Sequence, residues 1–457
     1  MNNSGLLERV FRLKENNTTA GKEILAGLTT FMAMAYILAV NPSILSAAGM
    51  DPNAVMGATA LAACVGSLVM GFLTNYPFAL APGLGLNAYF AFTICGSMGY
   101  SYKFALFAVF LEGVIFIILT LTGFRTLLTD SIPIALKRAI SAGIGLFIAF
   151  IGMQGANLIV NDDSTLVTLV DFRTSFHTSG ITAILAIIGL LVICWLTYRK
   201  VKGAVLIGML VTWVLGILCQ LVGIYQVTPD AGFYSLIPSF SGFQFASLGA
   251  NFGACFDLAG INMKILDVVI VVFALLYMDL FDTMGCLVGL ASHTGHVDKD
   301  GNLPNGKGAM LSDAIATCTG AVFGTSTTTT FAESAAGIAA GGRTGLTSVT
   351  TGILFLASLV LAPIFTAVPG FATSPALIYV GFLMLGDILD IDLKSIPEGV
   401  PAFFTIMVMI LSYSVSDGIA AGVISYTALS VLTGDKKRVN PMLLVLTVLF
   451  LLKYILM

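Results

Sequence analysis

Two stretches of this sequence decide its fold: residues 77–89 read PFALAPGLGLNAY, and residues 324–337 read GTSTTTTFAESAAG. Each stretch lies inside an apolar region and interrupts its helical pattern. Pro82 and Gly83 disfavour a continuous helix in the first stretch. The threonines at 327–330 favour a strand in the second, because β-branched side chains suit strands better than helices. We therefore predict that each stretch begins as a short strand and continues as a half-helix.

The composition of the chain excludes an ordinary water-soluble protein. The 457 residues are 57% hydrophobic and 10% charged, with a mean hydropathy of +0.98, whereas a soluble domain is about 25% charged. Because a transmembrane helix needs about 20 apolar residues, we predict an all-α polytopic membrane protein with about 14 transmembrane segments. The candidate segments are 24–46, 54–73, 78–97, 102–122, 134–153, 179–197 and 203–222, then 265–290, 309–324, 327–341, 344–368, 374–391, 400–432 and 439–456.

The two interrupted stretches occupy the same place in the two halves, as the third and tenth segments. Such pairs are typical of transporters built from two inverted seven-segment repeats, with the substrate site near the middle of the membrane. Irregular backbone is tolerated at that depth only inside protein or beside a cavity. The alternative is that both stretches are continuous helices whose small residues allow close packing.

We expect a multi-pass protein of the cell (plasma) membrane, and the basic residues in the connections predict that its N-terminal segment, 1–23, is cytoplasmic. In this orientation the inside connections hold fourteen Lys and Arg residues and the outside connections hold six, as expected for cytoplasmic loops. The basic residues 436–438 oppose this orientation. Either that loop is an exception, or the apolar run 400–432 breaks into two segments near residues 414–418.

Acidic side chains lie in the predicted segments without basic neighbours. Asp279 and Asp282 are three residues apart and share one helical face, Glu333 follows the threonine run, and Asn87 lies at the matching depth of the third segment. A carboxylate at the bilayer centre costs at least ~2.5–3.5 kcal/mol, so these residues indicate a functional site. An acidic site suits a cation, a proton or a neutral ligand rich in N–H donors, such as a purine base, on which Phe331 could stack.

Other polar features predict less. Glu112 and Asp313 are expected to be structural hydrogen-bonding groups, and Asp417 lies near a glycine. The seven cysteines lie far apart and form no Cys-x-x-Cys pair, so we expect neither a metal site nor a cofactor. The chain has no basic patch, which argues against a nucleic-acid partner.

Several stretches resemble the AzgA-like purine permeases, which are adenine and guanine/hypoxanthine permeases of bacteria and fungi within the nucleobase–ascorbate transporter superfamily. The resemblance runs nearly end to end. The stretches that carry it are 27–37, 41–42, 75–77, 81–91, 279–283 and 324–334.

The resemblance implies a secondary active, elevator-type carrier of purine nucleobases, often a homodimer. It implies a core domain, 24–122 and 265–368, that carries the substrate, and a gate domain, 134–222 and 374–456, that supports it. Sequence alone leaves protons or sodium open as the coupling ion. We favour protons, because no cluster of carbonyl and hydroxyl ligands indicates a sodium site.

The resemblance also implies roles for individual residues. Glu333 and Asp279 would bind the purine, Asn87 would contact it, and Asp282 would assist binding or coupling. Phe331 takes the aromatic position of the tenth segment. The predicted substrate-binding residues are Glu333, Asp279, Asn87, Phe331, Thr330 and Gly85, and the predicted proton-coupling residues are Asp282 and Asp279.

Three alternative functions are an anion carrier, an intramembrane protease and a passive channel. An anion carrier of the sulfate-permease type would share the fold, but an acidic site disfavours it. An intramembrane aspartyl protease needs two aspartates on facing helices, whereas Asp279 and Asp282 share one helix, and no Gly-x-Gly-Asp motif occurs. A passive nucleobase channel remains open until accumulation is measured.

Overall fold

The computed structural model describes residues 6–122, 133–228, 233–238, 248–259, 261, 263–294, 305–434 and 440–456. In this part of the chain, nine helices are long and apolar enough, by length and composition, to cross a membrane. The basic residues 436–438, on which the prediction of topology turned, lie outside the described residues.

The first four segments contain two interruptions. The elements are α1 (Leu6–Phe11), α2 (Ala20–Met34), α3 (Ile37–Leu45), α4 (Pro52–Thr74), β1 (Leu80–Pro82), α5 (Leu84–Ala88), which continues as a π-helix (Tyr89–Ser97), and α6 (Tyr102–Thr122). The third segment is a strand followed by a half-helix, as predicted. The segment predicted over 24–46 corresponds to one candidate span, Ala20–Ala48, in which Ala35 and Tyr36 separate α2 from α3.

Three helices form segments five to seven, and a small hairpin connects the first two of them. The elements are α7 (Ile134–Gly155), β2 (Ile159–Asp162), β3 (Leu166–Leu169), α8 (Ile181–Tyr198) and α9 (Ala204–Leu221). The two strands pair in antiparallel fashion.

The second half follows the same order. Its elements are α10 (Leu248–Asn251), α11 (Ile265–Thr294), α12 (Gly306–Phe323), β4 (Thr328–Thr330), α13 (Ser334–Ala339), α14 (Gly345–Ala357), α15 (Ala362–Thr366), α16 (Gly370–Met384), α17 (Ile396–Leu411), α18 (Val415–Leu432) and α19 (Pro441–Leu456).

The single segment over 400–432 is wrong, and the alternative of a break near residues 414–418 is confirmed, because this run forms two helices. α17 ends at Leu411, and Tyr413 then takes a left-handed conformation, with φ of 56°. Ser414 caps α18, since its Oγ accepts a hydrogen bond from the Asp417 amide at 3.3 Å. The turn residues therefore end one helix and begin the next inside a run that is apolar on both sides.

The helix contacts repeat between the halves. α4 packs on α14 as α12 packs on α6, and α8 packs on α9 as α17 packs on α18. The two sets of seven segments correspond when α18 is the fourteenth, so α19 follows the second repeat. The expectation that 439–456 is the fourteenth segment is therefore wrong, and the division into core and gate domains stays a prediction.

The strands β1 and β4 join the third and tenth segments. They pair in antiparallel fashion, with Leu80 opposite Thr330 and Pro82 opposite Thr328. The pairing continues at both ends, where Phe331 N donates to Ala79 O at 3.0 Å and Gly83 N donates to Thr327 O at 3.0 Å. Each segment thus satisfies backbone groups that the other would leave unpaired at membrane depth. The prediction of two discontinuous segments is confirmed, and the alternative of two continuous packing helices is wrong.

Candidate functional site

Two half-helices begin at opposite ends of the β1–β4 pair, because the strands are antiparallel. Gly83 is the N-cap of α5, and Glu333 is the N-cap of α13. Ala79 N, just before β1, donates to Ser334 Oγ in the first turn of α13 at 3.0 Å. The strand pair therefore fixes where each half-helix begins relative to the other.

Two carboxylates border an open space at this pair. Asp282 lies deep among protein atoms, yet its side chain is exposed, and Glu333 is partly exposed. Their charges are close enough to interact. An ideal Cβ built at Gly83 would lie 3.6 Å from Asp282 Oδ2, so this carboxylate lies beside the start of α5. We call Asp282 and Glu333 the open acids.

Glu333 has a partner from the first segment. The hydroxyl of Tyr36 donates to Glu333 Oε1 at 2.6 Å, and the Tyr36 side chain is only 1% exposed. Phe331, two residues before Glu333, is buried and lies at the end of β4. The aromatic ring and the carboxylate are thus held at the same end of the strand pair.

Three other carboxyl groups are completely buried. Glu112 of α6, Asp279 of α11 and Asp313 of α12 are each 0% exposed. The Asp279 carboxyl is close enough to those of Glu112 and Asp313 for their charges to interact. We call these three residues the buried acids.

Threonine hydroxyls connect the buried acids to β4 and its approach. Thr327 Oγ1 donates to Glu112 Oε2 at 3.1 Å, and Thr330 Oγ1 donates to Asp313 Oδ1 at 3.1 Å. Thr283 Oγ1 donates to Asp313 Oδ2 at 2.6 Å and lies 3.4 Å from Asp279 Oδ1. The threonine run therefore supplies strand structure and hydroxyl donors together.

The acids have no cationic partner in the part of the chain that the structure describes. The ion pairs found there join Arg12 to Glu15, Lys103 to Asp257, and Arg138 to Asp390. Among the described residues, Glu112 Oε1 and Asp279 Oδ2 also lack a hydrogen-bond donor. An ionised carboxylate only accepts hydrogen bonds, so these two oxygens need a donor that the described side chains do not supply.

Asn87 lies in the first turn of α5 and is fully buried. Its Oδ1 accepts a hydrogen bond from Ser326 Oγ, which approaches from the start of the tenth segment. Its Nδ2 has no acceptor among the described residues. A buried amide without an acceptor is costly, which makes Asn87 Nδ2 a candidate donor to a ligand.

The structure separates residues that the sequence analysis grouped. Residues three apart on a helix point about 60° away from each other, so Asp282 reaches the open space while Asp279 joins the buried acids. Thr330 directs its hydroxyl to Asp313. Gly85 is a packing position, where an ideal Cβ would lie 2.7 Å from Ile144 Cγ2 of α7. A direct role of Asp279, Thr330 or Gly85 in ligand binding stays a prediction.

Sequence reasoning missed four residues of this region: Tyr36, Thr283, Cys286 and Ser326. Cys286 is partly exposed, one turn after Asp282, and lies near the charges of both open acids. The sequence gives one indication that three of them matter. The stretches that resemble the purine permeases include Tyr36, Thr283 and Ser326. Their partners are set by tertiary contacts between distant segments.

Comparison with known proteins agrees with this architecture. Among solved structures, the transmembrane domain of a cyanobacterium bicarbonate transporter, BicA, matches with a TM-score of 0.62 at 14% identity, covering 88% of this chain and 97% of that one. At such low identity the structural match concerns the fold alone. This match confirms the predicted fold of two inverted seven-segment repeats.

Relatives found by sequence have a higher identity to this chain than the matched solved structure has. The chain is 43% identical to the guanine/hypoxanthine permease PbuO of Bacillus subtilis, over 97% of this chain and 99% of the relative. It is 38% identical to the adenine permease AdeP of Escherichia coli, over 99% of this chain and 96% of the relative. Residues 21–421 match the model of the Permease family. The chain therefore belongs to the Permease family and is a membrane transporter rather than an enzyme.

Proposed function

We propose that this protein carries purine nucleobases across the cell membrane together with protons. The observation that carries the proposal is the pair of open acids, Asp282 and Glu333, which lies between two half-helices without a cationic partner among the described residues. Relatives that are named guanine/hypoxanthine and adenine permeases support the substrate class.

The open acids suit the edge of a purine. Carboxylate oxygens accept hydrogen bonds from ring and exocyclic N–H groups, and Asn87 Nδ2 offers a donor to a purine ring nitrogen or carbonyl. A pocket that leaves such a group unpaired loses about 1–3 kcal/mol. We assign Glu333 and Asp282 to direct contact with the base, with Phe331 beside its flat face and Asn87 at its other edge.

The buried acids suit the proton. Glu112 and Asp279 are fully buried and close enough for their charges to interact, and the repulsion between two buried carboxylates is relieved when one of them holds a proton. We propose that the coupling proton is held by Asp279 and Glu112, with Asp282 as the second candidate. The proton would then travel in the same domain as the purine without competing for its hydrogen bonds.

We further propose an elevator-type movement with the N-terminus in the cytoplasm. Gly85 of the predicted core packs on Ile144 of the predicted gate, which is a contact that such movement would have to break. Because the run 400–432 is two segments, residues 436–438 change sides. With these three residues moved, the inside connections hold seventeen Lys and Arg residues and the outside connections hold three, which supports this orientation.

Topology can be tested with an introduced cysteine. Lys436→Cys should react with an impermeant thiol reagent only when the reagent has access to the cytoplasmic face. A matched variant in the β2–β3 hairpin, Ser164→Cys, should react only from the outer face. Reaction of Lys436→Cys from the outer face would contradict the proposed orientation.

The second candidate function is anion transport, since the matched bicarbonate transporter has the same fold. The open acids argue against it, because a carboxylate repels an anion where no cationic side chain compensates. The deciding experiment is uptake of labelled hypoxanthine into vesicles containing the purified protein. Adenine, guanine or hypoxanthine should compete, whereas sulfate and bicarbonate should not. Competition by the anions alone would overturn the proposed function.

A further inference from the structure

The break in the first segment gives one side chain a specific position. α2 ends at Met34 and α3 begins at Ile37. Between them the backbone tightens, with Leu38 N donating to Ala35 O at 3.2 Å and Ala39 N donating to Tyr36 O at 3.1 Å. Such three-residue hydrogen bonds occur here beside the regular one from Val40 N to Tyr36 O at 3.0 Å and mark a local tightening of the helix at Tyr36.

Close packing of α2 on α13 fixes this position. An ideal Cβ at Gly337 of α13 would lie 2.0 Å from Thr30 Oγ1 and 2.8 Å from Ala26 O of α2. Only glycine lets the two helices approach this closely. The first segment is therefore held against the helix that Glu333 begins, and Tyr36 cannot move independently of that carboxylate.

The hydrogen bond between Tyr36 and Glu333 is well suited to orient the carboxylate. A phenol has one O–H, and here it donates to Oε1 at 2.6 Å, which is typical of a bond to an ionised group. A carboxylate has about four acceptor positions on two oxygens, so Oε2 can still accept from a ligand. Without this bond, the long Glu333 side chain would have to lose rotamer freedom when the ligand binds.

We propose that Tyr36 is a positioning residue that holds Oε1 of Glu333, so that Oε2 meets an N–H group of the transported base. This inference rests on the proposed function of the site. It assigns the first segment a direct part in setting affinity, although Tyr36 is itself too buried to offer the base a surface.

The test is binding of labelled hypoxanthine to the purified, intact protein. Tyr36→Phe keeps the ring and removes only the donor, and should weaken binding about tenfold or more, as expected for a lost hydrogen bond to a charged group. Tyr76→Phe is the matched control, because Tyr76 is also buried in the predicted core but its hydroxyl accepts from Asn305 N. The control should bind as the unchanged protein does.

A double-mutant cycle separates positioning from packing. In Glu333→Gln the partner is neutral, so Tyr36→Phe should now cost less than about threefold. An equal loss in both backgrounds would indicate a packing role and overturn the proposal. Glu333→Asp, which withdraws the carboxylate from Tyr36, should also weaken binding and make Tyr36→Phe nearly without effect.

The outcomes distinguish this proposal from the proposed function. If the unchanged protein binds no purine, the proposed function is wrong, and the positioning role with it. If the unchanged protein binds hypoxanthine and Tyr36→Phe binds it equally tightly, only the positioning role is wrong. Unfolding midpoints of all variants in detergent should agree within a few degrees, and a lower midpoint of Tyr36→Phe with unchanged affinity would also overturn the proposal.

Discussion

The open acids and the buried acids lie in neighbouring parts of the molecule, yet their surroundings differ. Asp282 is exposed and Glu333 is partly exposed beside the half-helices, whereas Glu112, Asp279 and Asp313 are fully buried among threonine hydroxyls. A carboxylate that faces an open space can exchange water for a ligand. A carboxylate that is sealed from solvent depends on fixed donors and on protons.

One helix contributes to both groups. Asp279 and Asp282 lie on α11, and a difference of three residues is enough to direct one inward and the other outward. The comparison teaches that chemical identity and helical proximity do not decide which of these acids is exposed. The strand pair and its hydroxyls decide it, and substitutions can separate the two groups.

The largest expected effect concerns accumulation. A potential of 100 mV supplies ~2.3 kcal/mol to one charge, and one pH unit adds ~1.4 kcal/mol. Together they support roughly 500-fold accumulation of a neutral base that moves with one proton. Asp279→Asn should still exchange labelled for unlabelled base across a vesicle membrane but should not accumulate it, because an amide cannot hold the travelling proton.

Asp282→Asn is the matched variant for this measurement. If the open acid binds base and the buried acid holds the proton, Asp282→Asn should weaken binding yet retain accumulation driven by a pH step. Loss of accumulation in Asp282→Asn alone would reverse the two assignments. Accumulation that survives a protonophore but requires sodium would refute proton coupling altogether.

The next effect concerns affinity. Glu333→Ala should lower purine affinity at least about 100-fold, since it removes a charged acceptor and leaves a ligand N–H unpaired in a buried place. Glu333→Gln should lose less if the carboxylate serves only as an acceptor. Equilibrium binding measures both. Glu15→Ala, at an exposed position outside the segments, should bind normally, and normal binding by Glu333→Ala would exclude this residue from the site.

A buried acid should instead affect stability. Asp313→Ala leaves the hydroxyl of Thr330 without its acceptor and removes the nearest acceptor of Thr283, at a cost of about 1–3 kcal/mol. Its thermal unfolding midpoint in detergent should fall clearly below that of Asp313→Asn, which keeps an acceptor oxygen. Asp282→Ala should leave the midpoint nearly unchanged, and a similar fall in both alanine variants would remove the distinction between the groups.

The smallest effect is expected at the contact between the predicted domains. Gly85→Ala places a methyl group 2.7 Å from Ile144 Cγ2, so α5 and α7 must move slightly apart to accept it. We expect hypoxanthine affinity to change little and the transport rate to fall a few-fold, because the added methyl tightens a contact that moves. Ile144→Ala in the same chain, which removes Cγ2, should restore the rate. A large loss of affinity would place Gly85 in the binding site after all.

Sequence alone determined the membrane fold, its two broken segments and the acidic character of the site. These features follow from local properties: apolar runs of spanning length, Pro82 and Gly83 within one run, four consecutive threonines in another, and acids without basic neighbours. They needed no knowledge of which segments touch.

Tertiary structure decided what hydropathy could not distinguish. The run 400–432 is apolar on both sides of Ser414, and only the turn at Tyr413 and the repeated helix packing show that it is two segments. The choice between Asp279 and Asp282 as the exposed acid depended on which side of α11 the β1–β4 pair covers. Tyr36 reaches Glu333 across 297 residues of sequence, because Gly337 admits α2 to α13, and close approach of distant helices is a property that no local pattern contains.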